Sequence, residues 1–224
     1  MWGASNIVVM AGEKELLRDV SVGADPGRVT AVVGGDGAGK TTLLKCVAGV
    51  LAPSAGSVRR PERSRLGYLA PGGGIYPDLS VAENLRFRAA VYGVKGGYDE
   101  YLRLAGLDKF TDRLAGQLSG GMLRKLAVIA AMLPSPELLV LDEPSTGVDP
   151  VSRSDLWWLI TRAAGDGTAV LMSTTYLDEA ARAATVLVLD EGRSLASGTP
   201  AEITGDAGSL RDAVIARQLA REAS

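Results

Sequence analysis

The run GGDGAGKT, residues 34–41, fits the spacing G-x-x-x-x-G-K-[ST]. It follows the apolar stretch TAVVG and opens a helical pattern. Glycines at 34, 37 and 39 let successive backbone N–H groups turn inward onto phosphate oxygens, and the helix N-terminus adds its dipole. In such a loop Lys40 reaches the β- and γ-phosphates and Thr41 ligates Mg²⁺. A plain glycine-rich turn would not need the strand, the helix and the Lys-Thr pair together. A second apolar run, LLVLDEP at 138–144, ends in two acids. Asp142 can hold Mg²⁺ through water, and Glu143 can orient or deprotonate an attacking water. Taken alone, these acids read equally well as caps on the next helix.

LSGGM at 118–122 is a third candidate. Ser119 would cap a helix whose first N–H groups Gly120 and Gly121 leave open, with Met122 following. By residue type alone this is an ordinary helix start. A second phosphate-reading helix start just before the Asp-Glu strand is not expected of a simple P-loop kinase. A fourth stretch, LMSTTYLDEA at 171–180, ends an apolar strand in Ser173, Thr174 and Thr175, in a chain without histidine.

These groups need a scaffold. Apolar runs at 7–10, 19–24, 30–34, 138–144, 168–174 and 185–190 read as strands, the last four continuous as in strands buried on both faces. Helical patterns near 40–49, 150–164 and 176–184 lie between them. This alternation predicts a doubly wound parallel sheet. Residues 79–93, 99–106 and 119–133 are helical without an intervening strand, and Ser80 with Glu83 spells a capping box. That stretch reads as a helical insertion, and the tail from Ser209 as a polar-rich helix.

Composition sets limits. The 224 residues suit one domain; 46% are hydrophobic but only 5% aromatic, so aliphatic residues and alanine must fill the core. A net charge of −2 offers no basic field for nucleic acid. Cys46 is the only cysteine, which excludes an internal disulfide, fits a reducing cytosol, and reads as a small core residue. No apolar run approaches the ~20 residues that cross a bilayer. Trp157 and Trp158 read as core and rim packing.

The four motifs together resemble the nucleotide-binding subunit of an ATP-binding cassette (ABC) transporter, over essentially the whole length. GGDGAGKT resembles Walker A, covering Gly34, Gly35, Asp36, Gly37, Ala38, Gly39, Lys40 and Thr41, with Thr42 beside it. LLVLDEP resembles Walker B, LSGGM the signature, and STGVDP at 145–150 the D-loop with Asp149. TGVDPVSR and STTYLDEA are further similar to ABC-2-type export ATPases, including multidrug-export and tandem ribosome-associated members. The fold implied is α/β: a three-layer P-loop NTPase core with a parallel sheet, an N-terminal antiparallel β part and an inserted α-helical subdomain. We expect one domain over 1–224, with core 1–72 and 138–205, a helical subdomain at about 73–137 and a C-terminal helix at 206–224. The resemblance implies ATP and Mg²⁺ as cofactors. It also implies a head-to-tail cassette dimer, in which each ATP lies between one subunit's Walker motifs and the other's signature. A membrane permease partner and a cytoplasmic, peripheral location at the inner face of the membrane complete the picture.

Four positions depart from that family pattern. Thr175 stands at the switch histidine, Pro71 at the Q-loop glutamine, Ala11 at the adenine-stacking aromatic, and Asp36 at a P-loop asparagine. Each has a plain structural reading: Thr175 with Asp178 as a helix N-cap pair, Pro71 as part of a loop of three glycines, Ala11 as a slip of alignment, Asp36 as a solvated acid. Trp2 is the alternative stacking platform. All four belong to the site built on this subunit's own Walker motifs, whereas Ser119, Gly120, Gly121 and Asp149 would serve the opposite site. The partition suggests one half of an asymmetric dimer with a weak own site. The loop GGGIYPDLSV at 72–81, with exposed-looking Ile75 and Tyr76, reads either as a permease interface or as a plain loop. Three functions stay open beside a distant P-loop kinase: an ATP-driven export motor, a non-hydrolysing regulatory nucleotide module, and a non-transport, ribosome-associated type of cassette.

Overall fold

The computed structural model describes residues 1–94 and 98–222. Residues 95–97 of the expected helical insertion, and 223–224 of the expected C-terminal helix, lie outside the described residues. Two sheets carry the fold. The first is antiparallel, in the order β2-β1-β4, from β1 (Trp2–Ala11), β2 (Lys14–Ala24) and β4 (Ala55–Arg59). The second runs β5-β6-β7-β3-β8-β9. Its strands are β3 (Val29–Val33), β5 (Leu66–Leu69), β6 (Leu138–Asp142), β7 (Ala169–Thr174), β8 (Thr185–Asp190) and β9 (Arg193–Gly198). The first five in that order are parallel and β9 is antiparallel at the edge.

The continuous apolar runs are buried along their whole length in β3, β6 and β7. Helices on both faces require this. On one face lies α1 (Lys40–Val47), and on the other α4 (Gly120–Met132) and α5 (Pro150–Gly165). Each fully buried leucine of these layers contributes ~1.5–3 kcal/mol. A third apolar cluster joins α4 to α2 (Val81–Tyr92) and α3 (Asp99–Leu104). The capping box at the start of α2 is present: Glu83 N donates to Ser80 Oγ at 3.2 Å and Ser80 N to Glu83 Oε2 at 2.8 Å. Gly93 ends the helix at φ 69°, a left-handed residue that closes its last carbonyls. Short helices α6 (Leu177–Ala180) and α7 (Pro200–Thr204) and the longer α8 (Leu210–Glu222) follow.

Three strands go beyond the apolar runs. β4 is mostly exposed and is held by pairing to β1. β5 contains Gly67, where a β-carbon would run into the Ala131 carbonyl of α4. β9 returns through Glu191 (φ 43°) and Gly192 (φ 77°), a left-handed pair suited to a tight hairpin. The helix expected over 176–184 shrinks to the single turn of α6. Cys46 and Trp157 are buried and Trp158 is half exposed, as their core and rim readings required. Ile75 is partly buried against the core, contrary to its exposed look, whereas Tyr76 is exposed.

Candidate functional site

Strand register assembles the site. Val33 lies level with Thr174, Asp142 with Ser173, and Leu69 with Leu141. The residues that follow (Gly34, Glu143, Thr175 and the Ala70–Pro71 turn) therefore leave the sheet together at its carboxyl edge, where open α/β sheets bind ligands. Gly34 and Gly39 are needed for close approach. A β-carbon on Gly34 would meet the Leu189 carbonyl oxygen, and one on Gly39, at φ 104°, would lie 2.6 Å from Leu17 Cδ2. Gly39 caps α1 without a side-chain bond. Ala38 is buried, and its carbonyl accepts from Gly192 N at 3.0 Å. Gly35, Asp36 and Gly37 are exposed at the loop tip; Thr41 and Thr42 are partly buried on the first turn of α1.

Lys40 is buried, yet its ammonium has three acceptors: Gly34 O at 2.9 Å, Gly35 O at 3.1 Å and Glu143 Oε1 at 3.3 Å. Those three contacts match its three protons. The loop thus holds the charge at its centre, where phosphate oxygens would replace the carbonyls. Glu143 adopts φ 49°, a left-handed conformation that costs a non-glycine residue about 1–2 kcal/mol. Its Oε2 accepts from Thr146 Oγ1 at 2.8 Å. Asp142 is fully buried: Oδ1 accepts from Ser173 Oγ at 2.6 Å, while Oδ2 has no partner among the described residues. A buried carboxylate oxygen left open beside the P-loop suits a hydrated cation.

The three strand-end hydroxyls have three separate tasks. Ser173 donates to Asp142 and accepts from Glu143 N at 2.9 Å, so it fixes both acids. Thr174 Oγ1 donates to Glu179 Oε2 at 2.7 Å and accepts from Tyr176 N at 3.0 Å. Thr175 is exposed. The N-cap reading of Thr175 with Asp178 is corrected: Tyr176 is the N-cap of α6, without a side-chain cap bond. The turn-forming hydroxyl is Thr174, which reaches two residues ahead. Glu179 is the residue that sequence reasoning missed. It is buried and also accepts from Ser145 Oγ at 2.9 Å and Arg153 Nε at 3.2 Å. The only sequence signal was an acid just after a hydroxyl-rich strand end.

Pro71 is exposed, and its carbonyl accepts from Arg124 Nη1 at 3.1 Å. Ala11 pairs with Lys14 across the β1–β2 hairpin, exposed, a few residues from where Leu16 and Leu17 abut Gly39. Trp2 cannot stand in for a stacking residue there. It sits at the opposite end of β1, nine residues or ~30 Å along an extended strand, against Arg59.

Ser119, Gly120, Gly121, Met122 and Asp149 form a second cluster, where the N-termini of α4 and α5 meet. Ser119 Oγ accepts from Met122 N at 3.3 Å. A β-carbon on Gly120 would meet nothing, whereas one on Gly121 would collide with Ser152. Asp149 caps α5 through Val151 N and Ser152 N at 3.1 and 3.0 Å. The bonds from Ser152 and Val151 hold its carboxyl below the usual carboxylate range.

The sequence pattern of the ABC transporter family matches residues 17–146. Probable multidrug ABC transporter ATP-binding protein YbhF of Escherichia coli (strain K12) is 42% identical over 193 residues, 80% of this chain. The chain spans only 33% of that relative's length. Nod factor export ATP-binding protein I of Paraburkholderia xenovorans (strain LB400) is 33% identical over 208 residues, 86% of this chain and 68% of its own. A solved ATP binding subunit of an ABC transporter superposes with a TM-score of 0.87 at 26% identity, over 97% of this chain and 99% of its own. The cassette MJ0796, solved as a dimer, shares the fold at 20% identity and a TM-score of 0.77, over 89% of this chain and 98% of its own.

Proposed function

Because this chain belongs to the ABC transporter family, we propose that it is the ATP-binding subunit of an exporter, working beside a second cassette and a membrane permease. The observation that carries this reading is the convergence of Lys40, Asp142 and Glu143 at the carboxyl ends of β3 and β6. The similarity to proteins named for multidrug and Nod factor export supports the direction of transport. Among the described residues no helix is long and apolar enough to cross a membrane.

In this reading residues 34–42 cradle the triphosphate with backbone N–H groups. Lys40 exchanges the Gly34 and Gly35 carbonyls for β- and γ-phosphate oxygens. Thr41 and, through water, Asp142 would hold Mg²⁺, which neutralises phosphate charge when bound. Glu143, freed from Lys40, then accepts a proton from the attacking water. Ser119, Gly120 and Gly121 face the partner's ATP. Pro71 offers no side-chain ligand and Thr175 no imidazole, so this subunit's own site is weakly hydrolytic. The same two residues favour, as a second reading, a regulatory cassette that clamps nucleotide and scarcely cleaves it.

Turnover by the isolated chain should be slow. Pro71→Gln with Thr175→His should raise it at least ~10-fold, since a positioned acid–base group contributes 10²–10⁴-fold. Both positions are exposed, so the new side chains fit without repacking. The test is steady-state phosphate release. A wild-type rate already equal to that of a histidine-bearing cassette measured alongside would refute the degenerate site.

Base discrimination should be weak as well. Ala11 provides no ring and Trp2 lies at the far end of β1. Stacking on an aromatic is worth ~1–3 kcal/mol in nucleic-acid binders. Without it, ATP and GTP should bind within roughly fivefold of each other. Calorimetric titration checks this, and a preference for ATP above about a hundredfold would contradict it.

A further inference from the structure

The turn between β8 and β9, residues 190–192, abuts the P-loop on one side and the end of α8 on another. On the P-loop side the contacts are close. Gly192 N donates to Ala38 O at 3.0 Å. A β-carbon on Gly39 would lie 3.6 Å from Gly192 Cα, and one on Gly34 would strike the Leu189 carbonyl just before the turn. β2 closes the turn from behind: Arg18 N donates to Gly192 O at 2.7 Å, and a β-carbon on Gly192 would run into Leu16 O. The turn is thus wedged between β2 and the loop at 34–41. It is also strained. Glu191 holds φ 43° although its side chain is 79% exposed. A left-handed glutamate persists only where the surroundings over-determine it.

Arg221, in the last turn of α8, supplies that constraint. Its Nε meets Asp190 Oδ2 at 3.0 Å, its Nη1 donates to Asp190 O at 3.2 Å, and its Nη2 meets the Glu191 carboxylate. One planar fork therefore holds the main chain and both acidic side chains of the turn. A cation in the last turn of a helix ordinarily answers that helix's own carbonyls. Arg217 does so, through Ala213 O at 3.0 Å. Arg221 instead reaches back 31 residues. Its helix is a firm base, because Leu210, Ala213 and Val214 are buried beneath it.

We propose that Arg221 is a positioning residue for nucleotide binding, which clamps the β8–β9 turn and through it fixes the Ala38–Gly39 peptide of the P-loop. The carbonyl and the N–H of a trans peptide point in opposite directions. With the Ala38 carbonyl tied to Gly192 outside the loop, the Gly39 N–H is aimed into it, where a phosphate oxygen would receive it. Without the clamp the strained turn relaxes and that N–H loses its fixed direction. The role rests on the reading of residues 34–42 as a triphosphate cradle; it adds that the shape of the cradle is set from α8, which touches no nucleotide.

The test is calorimetric titration of the full chain with MgATP, with hydrogen exchange of the amides at 34–41 as a second readout. Arg221→Ala should weaken MgATP binding ~5–10-fold, the size expected of a residue acting through one intermediary, and should speed exchange at Gly39. Arg221→Lys keeps the charge without the fork, so it should still lose at least ~3-fold. Arg217→Ala is the control. It loosens the same end of α8 without touching the turn, and its affinity should stay within about twofold of wild type. An Arg221→Ala affinity inside that range would overturn the proposal. So would equal weakening by Arg217→Ala, since fraying of α8 would then be the cause. Should the alanine variant fail to fold, Arg221→Lys decides alone, and wild-type affinity with wild-type exchange refutes the clamp. If the wild-type chain binds MgATP and the Arg221 variants bind it equally, this inference fails and the cradle reading stands. If the wild-type chain binds none, both fail.

Discussion

Glu179→Ala should destabilise the protein by about 3–5 kcal/mol, as removal of one partner of a buried ion pair does. The carboxylate is buried and takes three donors: Ser145 Oγ, Thr174 Oγ1 and Arg153 Nε. Without it, two buried hydroxyls lose their acceptor, at ~1–3 kcal/mol for each that stays unsatisfied. Arg153 keeps only the exposed Asp178 at 2.8 Å and the face of Tyr176 at 3.8 Å. Against a total stability of ~5–15 kcal/mol, this is a large fraction. Glu179→Gln should lose less, because one oxygen still accepts. Asp178→Ala should change stability by no more than about 0.5 kcal/mol, since its side chain is 74% exposed and such pairs are weak. Urea unfolding of the three variants orders them, and a loss below ~1 kcal/mol for Glu179→Ala would rule out this account of the network. The consequence reaches the site. Glu179 ties the loop after Glu143, through Ser145, to the turn that carries Thr175, so both loops move when it is lost.

Why the P-loop was legible and this network was not follows from distance along the chain. The loop's demands are local: Gly34 and Gly39 answer to close neighbours, and Lys40 bonds carbonyls five and six residues away. The buried strands announced themselves in the same way, since double-sided burial needs unbroken apolar residues. Glu179 instead meets partners 26 and 34 residues earlier. No local pattern encodes such a meeting. β5 was hidden for a related reason: Gly67, poor for a strand by itself, is there because α4 crosses over it. β4 is exposed and short, with its stability borrowed from β1. The Thr175–Asp178 cap was misplaced by one residue, because Thr174 serves the turn from inside the strand.

Gly120→Asp should cut the turnover of an assembled complex on the order of 10²-fold or more, while Lys40→Ala changes it within about threefold. The two residues serve different ATP molecules in the proposed head-to-tail pair. In that reading Lys40 would act on this subunit's own nucleotide, at the site proposed to be weak because Pro71 and Thr175 stand there. Gly120 opens a helix that must meet the partner's γ-phosphate. The structure makes this a clean experiment. Nothing lies within 4 Å of a β-carbon at Gly120, so aspartate there disturbs charge and not packing. Gly121 would be the wrong choice, because any side chain strikes Ser152 and a loss of activity would report misfolding. A carboxylate about 4 Å from a phosphate charge costs about 4 kcal/mol at an effective dielectric constant near 20. Even half of that gives a loss well beyond threefold. Gly120→Ala controls for shape and should stay near wild type. In a complex with two identical cassettes each mutation damages both sites, and the two losses would converge. Equal and complete loss from both changes, with nucleotide still bound by the Lys40→Ala chain, would therefore exclude the asymmetric pair. Loss of binding itself in Lys40→Ala would mean that the weak site closes the dimer by holding its ATP, a role in which the carbonyl-held ammonium matters for affinity and not for cleavage.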